Sequence, residues 1–140
     1  MREILYKAKR IDNGEWVYGS YLYTFCEDKN CQIVCIQGEK HWIVEENGNI
    51  FWIDEDTICQ FTGMYDMNGE EIWENDILVA HLDSKFPDDA TYEQVIWHES
   101  GFCGKEKGSD ECRYLDDFDC DFYEVCGNIF DNAELLERKE

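Results

Sequence analysis

Short apolar runs rich in aromatic and β-branched residues, broken by Gly- and Asn-containing turns, predict a β-rich chain. Residues 3–10 and 15–23 flank Asp12-Asn13-Gly14, a sequence able to supply the positive φ that a tight hairpin needs. Trp16, Tyr18 and Tyr21 are residue types favoured in strands. A third run covers 31–36, and runs at 41–44 and 50–53 bracket a second turn, Glu46-Asn47-Gly48-Asn49. Residues 57–62 read as another strand, Asp66-Met67-Asn68-Gly69 as a third turn, and a further strand enters at about Asp76. Strands over 91–97 and 122–126 follow. Residues 99–121, rich in Gly, Lys and Asp, carry no periodic signal and predict a long excursion. Asp131 is placed to cap a short helix over 133–136. The expected class is all-β with a short C-terminal helix, in a barrel or sandwich.

A chain of 140 residues is the size of one domain, and 44% hydrophobic content supplies a core without metal or disulfide support. The expected division is an N-terminal hairpin region over 1–60 and a second region over 61–140 carrying the 99–121 insertion, packed as one compact unit. Charge changes the picture most. Thirty-three acidic residues face twelve basic ones, a net charge of −21. Residues 1–60 hold 11 acids and 6 bases, a net of −5, and residues 61–140 hold 22 and 6, a net of −16. Such a field repels phosphate backbones and anionic membranes, so neither direct nucleic-acid binding nor membrane attachment is expected. The N-terminus shows no signal-peptide pattern and no run approaches a membrane span, which predicts a cytoplasmic protein. In that compartment the eight cysteines are expected as thiols. The alternatives are disulfides or zinc, though no C-x-x-C pair exists to frame a zinc site.

Catalytic templates fail in turn. The sequence contains no GxGxxG, GxxxxGK[ST], HExxH or GxSxG. His41, His81 and His98 share no metal-ligand spacing. Asp117, Asp119 and Asp121 start like a calcium loop, but the sixth and twelfth positions hold Phe122 and Asn128 instead of Gly and Glu. No catalytic residue, metal or cofactor is expected, and the chain reads as non-enzymatic.

The candidate binding surface is the acidic stretch. Asp110, Glu111, Asp116, Asp117, Asp119, Asp121 and Glu124 place seven acids in fifteen residues, interleaved with Tyr114, Phe118, Phe122 and Tyr123 as aromatic anchors. In an extended segment alternate acids project about 6.6 Å apart on one face, roughly two phosphate steps along a DNA strand. The competing reading is a solvated acidic loop.

Three ordered strings carry a family resemblance over nearly the whole chain. They are Arg2-Glu-Ile with Trp16-Val-Tyr-Gly19; Cys59-Gln-Phe-Thr-Gly63 with Tyr65-Asp-Met-Asn-Gly-Glu-Glu-Ile-Trp-Glu-Asn-Asp-Ile-Leu78; and Tyr123-Glu-Val-Cys-Gly-Asn-Ile-Phe-Asp-Asn-Ala-Glu-Leu-Leu136. The chain resembles the YopX-like proteins of phages and prophages. That resemblance implies N-terminal hairpins packed with an SH3-like barrel, and brings no catalytic set. Asn75 stands where the family commonly has Gly, and Ala133 where it has Pro; Asn tolerates positive φ and Ala is a good helix former. Within the strings, Gly63, Asp66, Asn68, Gly69, Trp73, Asp76, Gly127 and Asn128 read as scaffold, with Asp76 binding backbone amides of its turn. Two partner readings stay open. One is an acidic, nucleic-acid-mimicking inhibitor of a host defence or regulatory protein. The other is an accessory or regulatory module that binds another host or phage protein, or a small ligand, through its barrel. Homo-oligomerisation stays open as well.

Overall fold

The computed structural model describes residues 5–26, 38–80, 91–109, 111–115 and 122–137. Its contacts divide the chain into Met1–Gln60 and Phe61–Glu140. In the first unit, β1 (Tyr6–Lys9), β2 (Trp16–Cys26), β3 (Gly38–Val44), β4 (Ile50–Trp52) and the start of β5 (Cys59–Tyr65) form one antiparallel sheet, in the order β4-β3-β2-β1-β5. Gly14 and Gly48 adopt φ of 72° and 93° in the expected turns, where a side chain would be strained. The expected 31–36 strand lies outside the described residues.

Register decides which face is buried. Ala8 pairs with Val17, Tyr21 with Ile43 and Ile43 with Phe51, so these positions share one face. That face builds a core of Ala8, Val17, Ile43 and Ile53, packed by Tyr6, Tyr21, Phe51 and Ile58. The opposite face carries Lys7, Lys9, Trp16, Tyr18, Leu22, Trp42 and Trp52. A 3₁₀ turn over Glu55–Thr57 follows β4 and is tied at both ends. Ile53 donates its amide to the His41 carbonyl, Asp54 to the Lys9 carbonyl, and Lys9 to Thr57 Oγ1.

In the second unit, the end of β5 pairs with β6 (Glu71–Trp73). Gly63, at φ 85°, sits where that ladder slips register. A five-stranded antiparallel sheet contains β7 (Asp76–Ala80), β8 (Tyr92–His98), β9 (Gly101–Glu106), β10 (Arg113–Tyr114) and β11 (Tyr123–Asn128), ordered β10-β9-β8-β7-β11. The described pairs draw an open sheet and no closed barrel. A four-residue helix, α1 (Glu134–Glu137), ends the described chain. Ile72, Leu78, Val95 and Tyr123 form the core of this unit. The 99–121 excursion is corrected in part: residues 101–106 return along β8 as a hairpin, from His98↔Gly101 to Glu93↔Glu106. Gly101, Gly104, Lys105 and Glu106 gave no alternating pattern, yet neighbouring β8 supplies the pairing.

Candidate functional site

Asp66 is 3% exposed, and its carboxylate accepts backbone amides from Asn68 and Glu70 at 2.8 Å and from Val125 at 2.9 Å. Two of these bonds close the turn, and the third binds it to β11. Asn68 Nδ2 adds a bond to Glu124 Oε2 at 2.9 Å, and the Met67 amide donates to the Tyr123 carbonyl. Asp76 accepts the Trp73 amide at 2.8 Å. Between them Asn75 takes φ 71°, a left-handed conformation that Asn tolerates. Its amide donates to the Val95 carbonyl, and its own carbonyl accepts from Ile129. Gly127 follows a bulge in β11, where a Cβ would lie 2.5 Å from Asn132 Oδ1. Asn128 Oδ1 accepts the amides of Phe130 and Asp131 at 2.9 Å. Asp66, Asn75, Asp76 and Asn128 therefore hold backbone.

Of the acidic stretch, Asp110, Asp116, Asp117, Phe118, Asp119 and Asp121 lie outside the described residues. Glu111 is exposed. Tyr123 is 6% exposed, packed in the core with the Arg113 guanidinium 4.0 Å from its ring centroid. Arg113 also forms a fork on Glu93, with Nη2 to Oε1 at 2.6 Å. Gly104 leaves the space for that pair, since a Cβ there would meet Glu93 Oε1 at 2.5 Å. So Tyr123 and Glu124 serve the fold here instead of an outward anchor. Cys59, Cys103, Cys112 and Cys126 are thiols without disulfides. Burial, then a hydrogen bond of the Cys103 thiol with Cys112, pushes the Cys103 thiol up to about 11, and burial raises Cys126 to about 11.

Two features of the first unit offer chemistry that the sequence did not mark. The first is the outward face of its sheet. Tyr18, Leu22, Ile50 and Trp52 are between 41% and 56% exposed. Lys7 and Lys40 stack on Trp16 and Trp52, with Nζ 4.6 Å and 4.5 Å from the ring centroids. At the edge of this face, Tyr18, Glu45, Glu46 and Asn47 line an open depression. Tyr18 beside these two carboxylates suits a Lys or Arg side chain, whereas the chain's own lysines already cover the Trp16 and Trp52 rings.

The second feature is a cluster at the end of the core face. Glu39 and His41, two residues apart on β3, project together, and Glu55 reaches them from the 3₁₀ turn. His41 Nε2 stands 2.7 Å from Glu55 Oε2 and 3.6 Å from Glu39 Oε1. Its other ring nitrogen, Nδ1, hydrogen-bonds the Tyr21 hydroxyl, and the Tyr21 and Tyr23 rings pack against the imidazole. Burial and then Glu55 raise the Tyr21 phenol, while desolvation and then Glu39 raise Tyr23. The site gathers negative charge beside a histidine.

This is an all-β protein of antiparallel sheets, with an exposed aromatic face and a Glu39–His41–Glu55 cluster on its first sheet. The chain belongs to the YopX family: the model of the YopX protein matches residues 5–137. Comparison with the curated proteins gave no match. A solved structure, the crystal structure of protein EF1440 from Enterococcus faecalis, superposes with a TM-score of 0.54 at 23% identity, covering 96% of this chain and 98% of that one. That likeness concerns the fold. Among the described residues, no helix is long and apolar enough to cross a membrane.

Proposed function

We propose that this YopX protein is a phage- or prophage-encoded, non-enzymatic binder of a protein that presents basic side chains, and that it acts in the host cytoplasm. The observation that carries the reading is the outward sheet face of the first unit. Tyr18, Leu22, Ile50 and Trp52 offer apolar anchors on one face of the sheet, and Glu45 and Glu46 lie beside Tyr18 at its edge. Clustered aromatics of this kind provide most of the energy in protein interfaces, while surrounding charge governs encounter. With a net charge of −21, encounter is fastest with a basic partner and slows as salt is added. Inhibition by nucleic-acid mimicry follows where the partner's basic site is its nucleic-acid site.

Cross-linking of the full chain in host lysate, followed by binding kinetics with the recovered partner, tests this. The Tyr18→Ala/Trp52→Ala variant should lose affinity at least ~30-fold, in line with two interface anchors. Glu45→Gln/Glu46→Gln should slow association and flatten its salt dependence. Unchanged kinetics in both variants, with folding intact by circular dichroism, would sink the proposal. So would turnover of any substrate at the recovered complex.

A further inference from the structure

We propose that Glu39, His41 and Glu55 form a zinc-binding site, with Tyr21 as the group that orients the histidine. The observation behind it is the state of His41 Nε2. This nitrogen has less than 1 Å² exposed and no hydrogen-bond partner. Glu55 Oε2 nevertheless lies only 2.7 Å from it. The oxygen is therefore close but off the axis along which an N–H would donate, so a proton on Nε2 makes a poor bond. A cation seated between the ring nitrogen and the carboxylates satisfies all of them at once.

The distances agree with that reading. The three ligand atoms lie within 4.8 Å of one another. In a tetrahedral zinc site with bonds of 2.0–2.2 Å, ligand atoms stand about 3.3–3.6 Å apart. The observed 3.6 Å falls in that range and the 2.7 Å falls short of it, so Glu55 draws back when the ion enters. One imidazole nitrogen with two carboxylates is a donor set for zinc, whereas calcium and magnesium prefer oxygen alone. In the tautomer with Nδ1 as donor to the Tyr21 oxygen, the Nε2 lone pair is left for the metal.

The scaffold holds the ligands without the ion. His41 and Glu39 share a strand, and the backbone of the Glu55 turn is bonded to the His41 and Lys9 carbonyls through Ile53 and Asp54. The Glu39 and Glu55 side chains are 57% and 59% exposed, so a fourth position opens to water. No short ligand spacing marks the cluster, because Glu55 lies fourteen residues beyond His41 and only the turn after β4 brings it back.

Calorimetric titration of the reduced, metal-stripped full chain with Zn²⁺ is the test, together with the absorption spectrum of the Co²⁺ form. One ion per chain should bind, and His41→Ala, Glu39→Gln or Glu55→Gln should each weaken binding at least tenfold. Both glutamine variants alter exposed carboxylates and should keep the wild-type circular dichroism spectrum. Tyr21→Phe should weaken zinc binding roughly tenfold, the usual size of an outer-shell effect. His98→Ala should change nothing. The Co²⁺ spectrum should show nitrogen and oxygen ligation without sulfur-to-cobalt charge transfer. The proposal is overturned by a strong sulfur band, by equal affinity in the glutamine variants, or by no binding at micromolar chain concentration.

Discussion

At the scale of single residues, a carboxylate at 3% exposure needs an account, and Asp66 has one in its three backbone donors. A charged acceptor strengthens each bond, and its removal leaves three amides unsatisfied at a partly buried turn. Asp66→Ala should therefore lower stability by about 3 kcal/mol in urea denaturation. Asp66→Asn keeps one acceptor oxygen and should cost about half as much. Equal stability of Asp66→Ala and wild type would show that water replaces the carboxylate at no cost. The Glu93–Arg113 fork is another buried charge that is tolerated because it is paired, here beneath an aromatic ring.

At the scale of elements, the first sheet depends on the close approach of two strands at Gly19. The backbone at Val44 and Glu45 passes so near that a Cβ on Gly19 would overlap the Val44 carbonyl oxygen. No flexible side chain is there to move aside, so the clash falls on the β2–β3 ladder, which runs from Ser20↔Val44 to Cys26↔Gly38. Gly19→Ala should destabilise the protein by about 3 kcal/mol or more, above the range for ordinary overpacking. Hydrogen exchange should show lost protection in β2 and β3 first. Gly14→Ala makes the comparison, because nothing lies within 4 Å of a Cβ there and the strain comes from φ of 72° alone. Its cost should be near 1 kcal/mol. A larger loss at Gly14 than at Gly19 would contradict the close approach.

At the scale of the whole molecule, the buried Cys103 and half-buried Cys126 thiols give the protein a predictable alkaline limit. The ordinary thiol value is 9.0, and Cys103 and Cys126 stand at about 11 in the folded protein. Between these values the unfolded chain releases protons that the folded chain retains, so stability falls as pH rises from 9 to 11. The raised Tyr21 and Tyr23 phenols act in the same direction. Below 9 the contribution is fully present. Urea midpoints taken across this range should fall with pH, and the Cys103→Ala/Cys126→Ala variant should fall less. The same burial makes both thiols slow toward disulfide reagents near neutral pH. Equal reactivity of all eight cysteines would be the contrary result.

The sequence by itself determined the β class, the three tight turns, the strand entering at Asp76, the short terminal helix and the backbone role of Asp76. These follow from local physics: φ preference, short-range hydrogen bonding by Asn and Asp, and strand-favouring runs bounded by turns. The tertiary structure decided which face of the first sheet is buried. In Trp16-Val-Tyr-Gly-Ser-Tyr-Leu-Tyr23 apolar residues occupy both parities, so the pattern permits either face, and register with β1 and β3 settles it. It likewise decided the 101–106 hairpin, whose glycines and charges gain their pairing from β8. The meeting of Glu39, His41 and Glu55 belongs to the same category. A cluster assembled from a strand and a later turn has no sequence spacing to betray it, because its geometry comes from hydrogen bonds made elsewhere in the backbone.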